Sequence, residues 1–396
     1  MSTARTSGHR PLRVLVAPDS LKGSLTAGAA ARAIGRGLQH GWPALDCDLV
    51  PLADGGEGTL AALSAAWNCQ LQTEAVTGPE GNPVQARWGW QPDDRIAVIE
   101  LAQASGFAQV TAGRVDPFAA TTRGTGELIM TALARKPTRL VVTLGGSATN
   151  DGGLGVLHAL GARLKDRAGE PVTPTLAGME QLAQVDLSLA RHRLAGIQVD
   201  LVADVRNPLL GPQGAIRTYG PQKGLEAGAL DRAEAAMARY AERMASQVSA
   251  MPGMPGAGAA GGVGFALAAL TGQKIQPGAD FVLAASNVEQ SMAEVDFIVT
   301  AEGALDRQTL DGKLVSALGE RARKHNKPLY VLAGRVALEP EKLDNLGICA
   351  ALSITPGPTS LAESMNQAEA WLESTAHMLA RLMRSTCTSD RARRVP

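Results

Sequence analysis

Two rhythms of apolar and polar positions alternate along the 396-residue chain. Short runs of leucine and β-branched residues read as buried strands, and each is followed by small residues and then by apolar positions at helical spacing. The first run is Leu12–Ala17. Its exit, Pro18–Ser24, predicts an Ala-rich helix with Ser24 as N-cap and an end near Leu38. Cys47–Leu52 repeats the step, with the loop Ala53–Thr59 and a helix to Trp67. From Gln70 to Trp90 the pattern becomes strict alternation around Gly78–Pro83, which predicts a β-hairpin. Next come the strand Ile96–Leu101, a helix opened by Thr121–Glu127, the strand Leu140–Leu144 with a helix beyond Gly153, the strand Val199–Val202 and a charged helix Ala227–Val248. Met251–Gly264 is dense in Pro and Gly and reads as a ligand-facing loop before the apolar helix Phe265–Leu270. The helix Phe281–Met292, the strand Asp296–Thr300, the helix Lys313–Lys324, the strands Leu329–Leu332 and Ile348–Ile354, and the amphipathic helix Ser360–Met383 complete the pattern. Residues 1–11 and the tail after Ser385 read as disordered.

Both ends of the chain are thus built from βαβ units and the middle is mixed. The pattern predicts an α/β protein: a doubly wound parallel-sheet domain made of residues 1–68 plus 285–396, interrupted by a second α/β domain at 69–284. The length also favours two cores over one.

Composition narrows the function. Lys plus Arg and Asp plus Glu both total 38, so no net field recruits nucleic acid or an anionic membrane, and with 3% aromatic residues the chain is poor in base-stacking platforms. Cys47, Cys69, Cys349 and Cys387 lie far apart without metal-ligand spacing, as expected for reduced thiols. No apolar run reaches the roughly 18 residues of a membrane span, and the first ten residues lack a signal-peptide core. A cytoplasmic protein is expected.

Five apolar strands end in an acid within a small-residue loop: Asp19, Asp54, Asp151, Asp204 and Glu302. Ligands of open α/β sheets bind outside the carboxyl ends of the strands. For any one of these acids, capping the next helix is an equally good explanation; for five it is not. Lys22, Arg123, Lys223 and Lys313 lie beside glycines in loops, where a side chain reaches a phosphate without crossing a core. The richest loop is Gly145–Gly153 (GGSATNDGG), which adds hydroxyls, an amide and a carboxylate to glycines that let backbone N–H groups approach an anion. Carboxylates, cations and glycine loops together suit a divalent cation with phosphates, and phosphoryl transfer, where the protein mainly positions groups and neutralises charge. There is no GxxxxGK[ST] and no G-x-S-x-G. His158 falls on an apolar helix face and is expected in the core. Gly256-x-Gly258-x-x-Gly261 matches the dinucleotide fingerprint with Asp280 downstream, but a Pro/Met loop rather than a strand precedes it.

As a set, APDSLKGSL (17–25), LADGGEGT (52–59), TTRGTGELI (121–129), GGSATNDGG (145–153), DVRNPLLG (204–211), YGPQKG (219–224), PGAGAAGG (255–262) and TAEGALD (300–306) resemble the bacterial class I glycerate kinase family, in order and over residues 12–384. The resemblance implies a flavodoxin-like domain interrupted by a mixed α/β domain, with the active site in the cleft between them. It implies ATP-dependent, Mg2+-assisted phosphorylation of D-glycerate, in most bacterial members at the 2-hydroxyl.

The roles it suggests are as follows. Asp19, Ser20 and Lys22 face the reaction centre, with Lys22 steadying the transferring phosphoryl group. Asp54 and Glu57 hold Mg2+ or contact substrate hydroxyls, and Arg123 clamps the glycerate carboxylate, whose shape a guanidinium matches. Asn150, Asp151 and Asn207 grip the substrate, and Asp204 is base or metal ligand. Gly145, Gly146, Ser147, Lys223, Glu302, Asp306 and Lys313 serve the nucleotide. A 3-kinase, an NAD-dependent enzyme and a non-catalytic anion-binding module are the rival expectations, and the protein is expected to act as a monomer or homodimer.

Overall fold

Among the described residues the apolar runs form thirteen strands: β1 (Arg13–Val16), β2 (Asp46–Leu49), β3 (Gln70–Thr77), β4 (Pro83–Gln91), β5 (Ile96–Glu100), β6 (Arg139–Thr143), β7 (Arg163–Lys165), β8 (Gln184–Asp186), β9 (Gln198–Ala203), β10 (Ile275–Pro277), β11 (Phe297–Leu305), β12 (Leu329–Val336) and β13 (Ala350–Ser353). The computed structural model describes residues 11–111, 115–245, 251–307, 309 and 314–393; the expected disordered lead-in falls almost wholly outside them. Contacts divide the chain into two units, Met1–Ala53 with Leu283–Pro396, and Asp54–Val282.

In the first unit the sheet order is β2-β1-β11-β12-β13, and every pairing is parallel. This is the doubly wound order of flavodoxin-type folds, whose reversal point lies between β1 and β11. Val14, Leu15 and Val16 of the central strand are wholly buried. The helix Ala27–Gly41 begins two residues later than the sequence suggested. Thr26 Oγ1 accepts from Ala29 N at 3.2 Å, while Ser24 is held in a turn by its bond to Leu21 O. This helix lies unusually close to the last helix, Ala368–Arg393. A Cβ on Gly37 would stand 2.1 Å from Glu373 O, and one on Gly41 2.4 Å from His377 O, with Ala376 and Ala380 opposite.

Three expectations change in this unit. The small residues Ala301–Leu305 are not a loop but the end of β11, because β12 continues beside them and pairs Glu302 with Ala333 and Leu305 with Val336. The predicted helix Phe281–Met292 breaks at Asn287, a left-handed residue at φ 51°, into Gly278–Ala285 and Val288–Glu294. The tail expected to be disordered after Ser385 continues the last helix to Arg393.

The second unit carries a mixed sheet, β10-β9-β6-β5-β4-β3. β10, β9, β6 and β5 are parallel, and β5-β4-β3 are antiparallel through the predicted hairpin. Trp88, Ile99, Leu128 and Phe265 are among the fully buried side chains of its core. The small β7-β8 sheet had no signal, since three-residue strands are too short to show a period. His158 stands exposed on its short helix rather than in the core. Among the described residues no helix is long and apolar enough to cross a membrane, and Cys47, Cys69 and Cys349 are free thiols.

Candidate active site

Glycines allow three loops of the second unit to meet at the carboxyl ends of its parallel strands. A Cβ on Gly145 would stand 2.3 Å from Gly56 Cα, so the loop after β6 rests on the loop carrying Asp54. A Cβ on Gly56 would stand 3.0 Å from Asp54 Oδ1 and 3.9 Å from Asp204 Oδ2, which places the two carboxylates around one glycine. Asp54 is buried and its Oδ1 accepts from Gly56 N at 3.0 Å; Asp204, in the loop after β9, is exposed. Among the described residues no group of three or more His, Cys, Asp or Glu side chains could hold a metal ion. A pair of carboxylates still fits Mg2+, which keeps waters and is bound through one or two carboxylates plus substrate phosphates.

Lys223 lies in this unit's interior. Its Nζ donates to Ser147 Oγ at 2.8 Å and to Thr149 O at 2.9 Å, and the residue is 5% exposed. Burial pushes its pKa from 10.5 down to about 7, against a partial upward pull from Asp151. Beside it, Asn150 is fully buried, and neither atom of its amide has a partner among the described residues; Thr149 Oγ1 is likewise unpaired. A buried amide with both ends unmade costs more than one hydrogen bond, so this polar niche is built for an occupant, solvent or ligand. Asn207 is tied into its own loop, donating to Gln213 O at 2.8 Å and accepting from Tyr219 OH at 2.7 Å. Burial raises the Tyr219 pKa, and Asp204 adds to that rise.

Asp151 faces inward. Its carboxylate accepts from Thr122 N (2.7 Å), Thr122 Oγ1 (2.8 Å), Gly153 N (3.0 Å) and Gly155 N (3.1 Å), pinning the starts of the helices Arg123–Ala134 and Leu154–Ala159. Burial raises its pKa and these donors oppose the rise. Arg123, the first residue of its helix, is half exposed and paired with Glu127 at 2.8 Å. Glu57 is exposed, and Gly146 takes a positive φ of 70° that suits its turn.

Sequence reasoning missed Glu100. This wholly buried carboxylate at the end of β5 accepts from Gly58 N at 3.2 Å and Leu60 N at 2.8 Å, and burial raises its pKa. It fixes the loop that carries Asp54 and Glu57. The signal was present, because Ile96–Glu100 is a sixth apolar strand ending in an acid.

In the first unit the loop after β1 runs beside the end of β11, with Asp19 N donating to Ala301 O at 3.0 Å. Asp19 is buried and its Oδ1 accepts from Ser20 N at 2.6 Å; Lys22 is exposed. Glu302 Oε1 accepts from Thr309 Oγ1 at 3.0 Å, and Asp306 N donates to the same hydroxyl oxygen at 3.2 Å. Lys313 lies outside the described residues. The first unit thus gathers Asp19, Ser20, Lys22, Glu302 and Asp306, and the second gathers Asp54, Gly145, Gly146, Ser147, Asn150, Asp204 and Lys223.

The dinucleotide match fails on geometry. A Cβ on Gly258 would meet Pro208 O at 2.3 Å and one on Gly261 would meet Thr149 O at 2.1 Å. These glycines face protein carbonyl oxygens, which repel a pyrophosphate, and among the described residues no strand leads into them. The expected ligand-facing loop is therefore largely a packing element under the Thr149–Asn150 backbone.

The model of the glycerate kinase family matches residues 14–384 of this chain. The glycerate kinase of Bacillus subtilis (strain 168) is 40% identical over 370 residues, 93% of this chain and 97% of that one. The glycerate 2-kinase of Escherichia coli (strain K12) is 37% identical over 358 residues, 90% and 94% of the two chains. A crystal structure assigned as glycerate kinase 2 from Salmonella typhimurium LT2 superposes with a TM-score of 0.84 at 37% identity, covering 96% of this chain and all of that one. With two doubly wound and mixed α/β units carrying eight ordered loop motifs, this chain belongs to the glycerate kinase family.

Proposed function

We propose that this chain phosphorylates D-glycerate at its 2-hydroxyl, using ATP with Mg2+ and releasing 2-phosphoglycerate and ADP. The observation that carries the reading is a two-carboxylate station, Asp54 and Asp204 around Gly56, in the same unit as the buried Lys223 amine. Phosphoryl transfer uses that combination of acids with a group that becomes positive when an anion is seated on it.

Asp54 would hold Mg2+, which when bound neutralises charge on the phosphate oxygens, and Asp204 beside it is left as the base. Lys223, Ser147 and the Gly145–Gly146 backbone cradle phosphate; Lys22 steadies the transferring group, and Asp19 and Ser20 orient it. Arg123 holds the substrate carboxylate, with Glu57, Asn150, Asp151 and Asn207 shaping the acceptor site, Asp151 through the helix starts it pins. Glu302, Asp306 and Lys313 serve the nucleotide. The substrate hydroxyl oxygen attacks the γ-phosphorus as the bond to the β,γ-bridging oxygen breaks. The hydroxyl proton passes to Asp204, the exposed member of the acid pair. Balanced charge supports a cytoplasmic enzyme acting on a small molecule, as monomer or homodimer and without nucleic acid.

31P NMR of a reaction with Mg-ATP and D-glycerate tests the proposal. A 2-phosphoglycerate signal is expected. A 3-phosphoglycerate signal would overturn the position of attack, and no phosphorylated product would overturn the substrate.

A further inference from the structure

Tyr219 opens the run YGPQKG, of which the proposed reaction uses only the lysine. The run lies wholly in the second unit. The helix Ala215–Tyr219 gives way after Gly220 to a single turn of 3-10 helix, Pro221–Lys223, closed by Gly224 at a φ of 95°. Backbone bonds fix this corner. Gly220 N donates to Ile216 O at 2.9 Å, while Gly220 O accepts from Lys223 N at 3.0 Å and from Leu225 N at 2.9 Å. Tyr219 and Lys223 are thereby held at a set spacing, and they leave the corner toward different loops. Lys223 Nζ reaches Ser147 Oγ and Thr149 O in the loop after β6. Tyr219 OH donates to Asn207 Oδ1, 2.7 Å away in the loop after β9.

Asn207 is the hub of that second loop. Ala203, where β9 ends, and Ala215, where the next helix begins, are joined by an irregular segment. The Asn207 amide gives it shape, donating to Gln213 O at 2.8 Å while it accepts from Tyr219. The Asn207 backbone oxygen accepts from Gly258 N at 3.0 Å. Asp204 belongs to the same segment, just upstream of Asn207, and its charge is felt at the Tyr219 phenol, whose pKa it raises.

The core does not need this tie. Tyr219 and Asn207 are half-buried and lie outside the unit's apolar cluster. A hydrogen bond so placed adds little to global stability. Its worth to a reaction is greater, because misplacing a reacting group by about 1 Å costs about a hundredfold in rate.

We infer that Tyr219 is a positioning residue for phosphoryl transfer: through Asn207 it holds Asp204 in register with the Lys223–Ser147 contact, the corner between Tyr219 and Lys223 setting the spacing. This role rests on Asp204 acting as the base in the proposed function.

Tyr219→Phe removes the hydroxyl and keeps the ring. It should lower kcat about tenfold or more, with KM for D-glycerate and for ATP within about twofold of wild type and the urea midpoint unchanged. Placed on Asp204→Asn, the same substitution should cost nothing further, because residues that act as a unit are not additive. Hydrogen–deuterium exchange of the free protein, read by mass spectrometry, should quicken over residues 204–214 in Tyr219→Phe while β6 keeps its protection. Three outcomes would each overturn the role: a wild-type kcat in Tyr219→Phe, the same fold-loss with and without Asp204→Asn, or unchanged exchange over residues 204–214. The exchange is measured without substrate, so wild-type protein that fails to phosphorylate D-glycerate would overturn the proposed function, whereas unchanged exchange would overturn the tie itself.

Discussion

Lys223 offers a direct handle on the active site, because its proton is present in some states and absent in others. With a pKa of about 7, the free protein at pH 8 holds that proton in only ~10% of molecules. An anion seated on Nζ stabilises the ammonium and returns the pKa toward its ordinary value of 10.5. Binding then takes up close to ~0.9 proton at pH 8, ~0.5 at pH 7 and ~0.1 at pH 6. Isothermal titration calorimetry in buffers of different ionisation enthalpy measures this uptake as the slope of binding heat against buffer enthalpy. Mg-ATP and D-glycerate are titrated separately at pH 8, where neither carries a titrating proton of its own, so the ligand that gives the slope is the one Lys223 holds. Lys223→Met should bring the slope to zero. The same shift makes a stability statement. Between about pH 7 and 10.5 the unfolded chain binds more protons at this position than the folded one, so stability rises with pH across that window in the wild type and flattens in Lys223→Met. No buffer dependence for either ligand at pH 8, or an undiminished slope in the variant, would refute the picture of a lysine kept neutral until its anion arrives.

Other substitutions separate chemistry from scaffold. Asp204→Asn should lower kcat roughly a hundredfold or more with little change in KM for glycerate; a wild-type kcat would remove Asp204 from the reaction. Arg123→Ala should raise KM for glycerate about tenfold, as a lost charge-assisted pair does, and an unchanged KM leaves the carboxylate clamp to another residue. Asp151→Ala orphans four donors and should cost about 3 kcal/mol in urea unfolding; a loss under about 1 kcal/mol would contradict its role as the pin of two helices. Gly37→Ala forces a Cβ against Glu373 O and should destabilise by about 2 kcal/mol. Gly28→Ala in the same helix meets only the tip of Arg32 at 3.5 Å and should be neutral or stabilising by about 0.5 kcal/mol; equal effects of the two would deny the tight helix contact.

The alternation of apolar runs and small-residue loops made the α/β class and the hairpin legible, since both follow from local period. Strand order did not follow from it, because the parallel neighbours β1 and β11 are far apart in sequence. Ala301–Leu305 read as a loop from its small residues, yet hydrogen bonding to β12 extends it as strand. The loops carrying Asp54, Ser147, Asp204 and Lys223 were legible as glycine-bearing polar segments between regular elements. What their glycines do was not: Gly145, Gly258 and Gly261 serve backbone-to-backbone packing, a requirement visible only once the opposing carbonyl or Cα is in place. Nor could spacing show that Lys223 reaches Ser147, or that Glu100 rather than a loop acid anchors the Gly58 turn.

The pinning of two helix starts by Asp151 has a consequence for the cation above it. Each helix end contributes about half a positive charge, so the two together compensate one carboxylate almost fully. Asp151 thereby answers mainly to the backbone, and its upward pull on Lys223 stays smaller than the downward push of burial. The loop carries a dormant charge: electrically quiet at rest, and switched on by whichever anion enters.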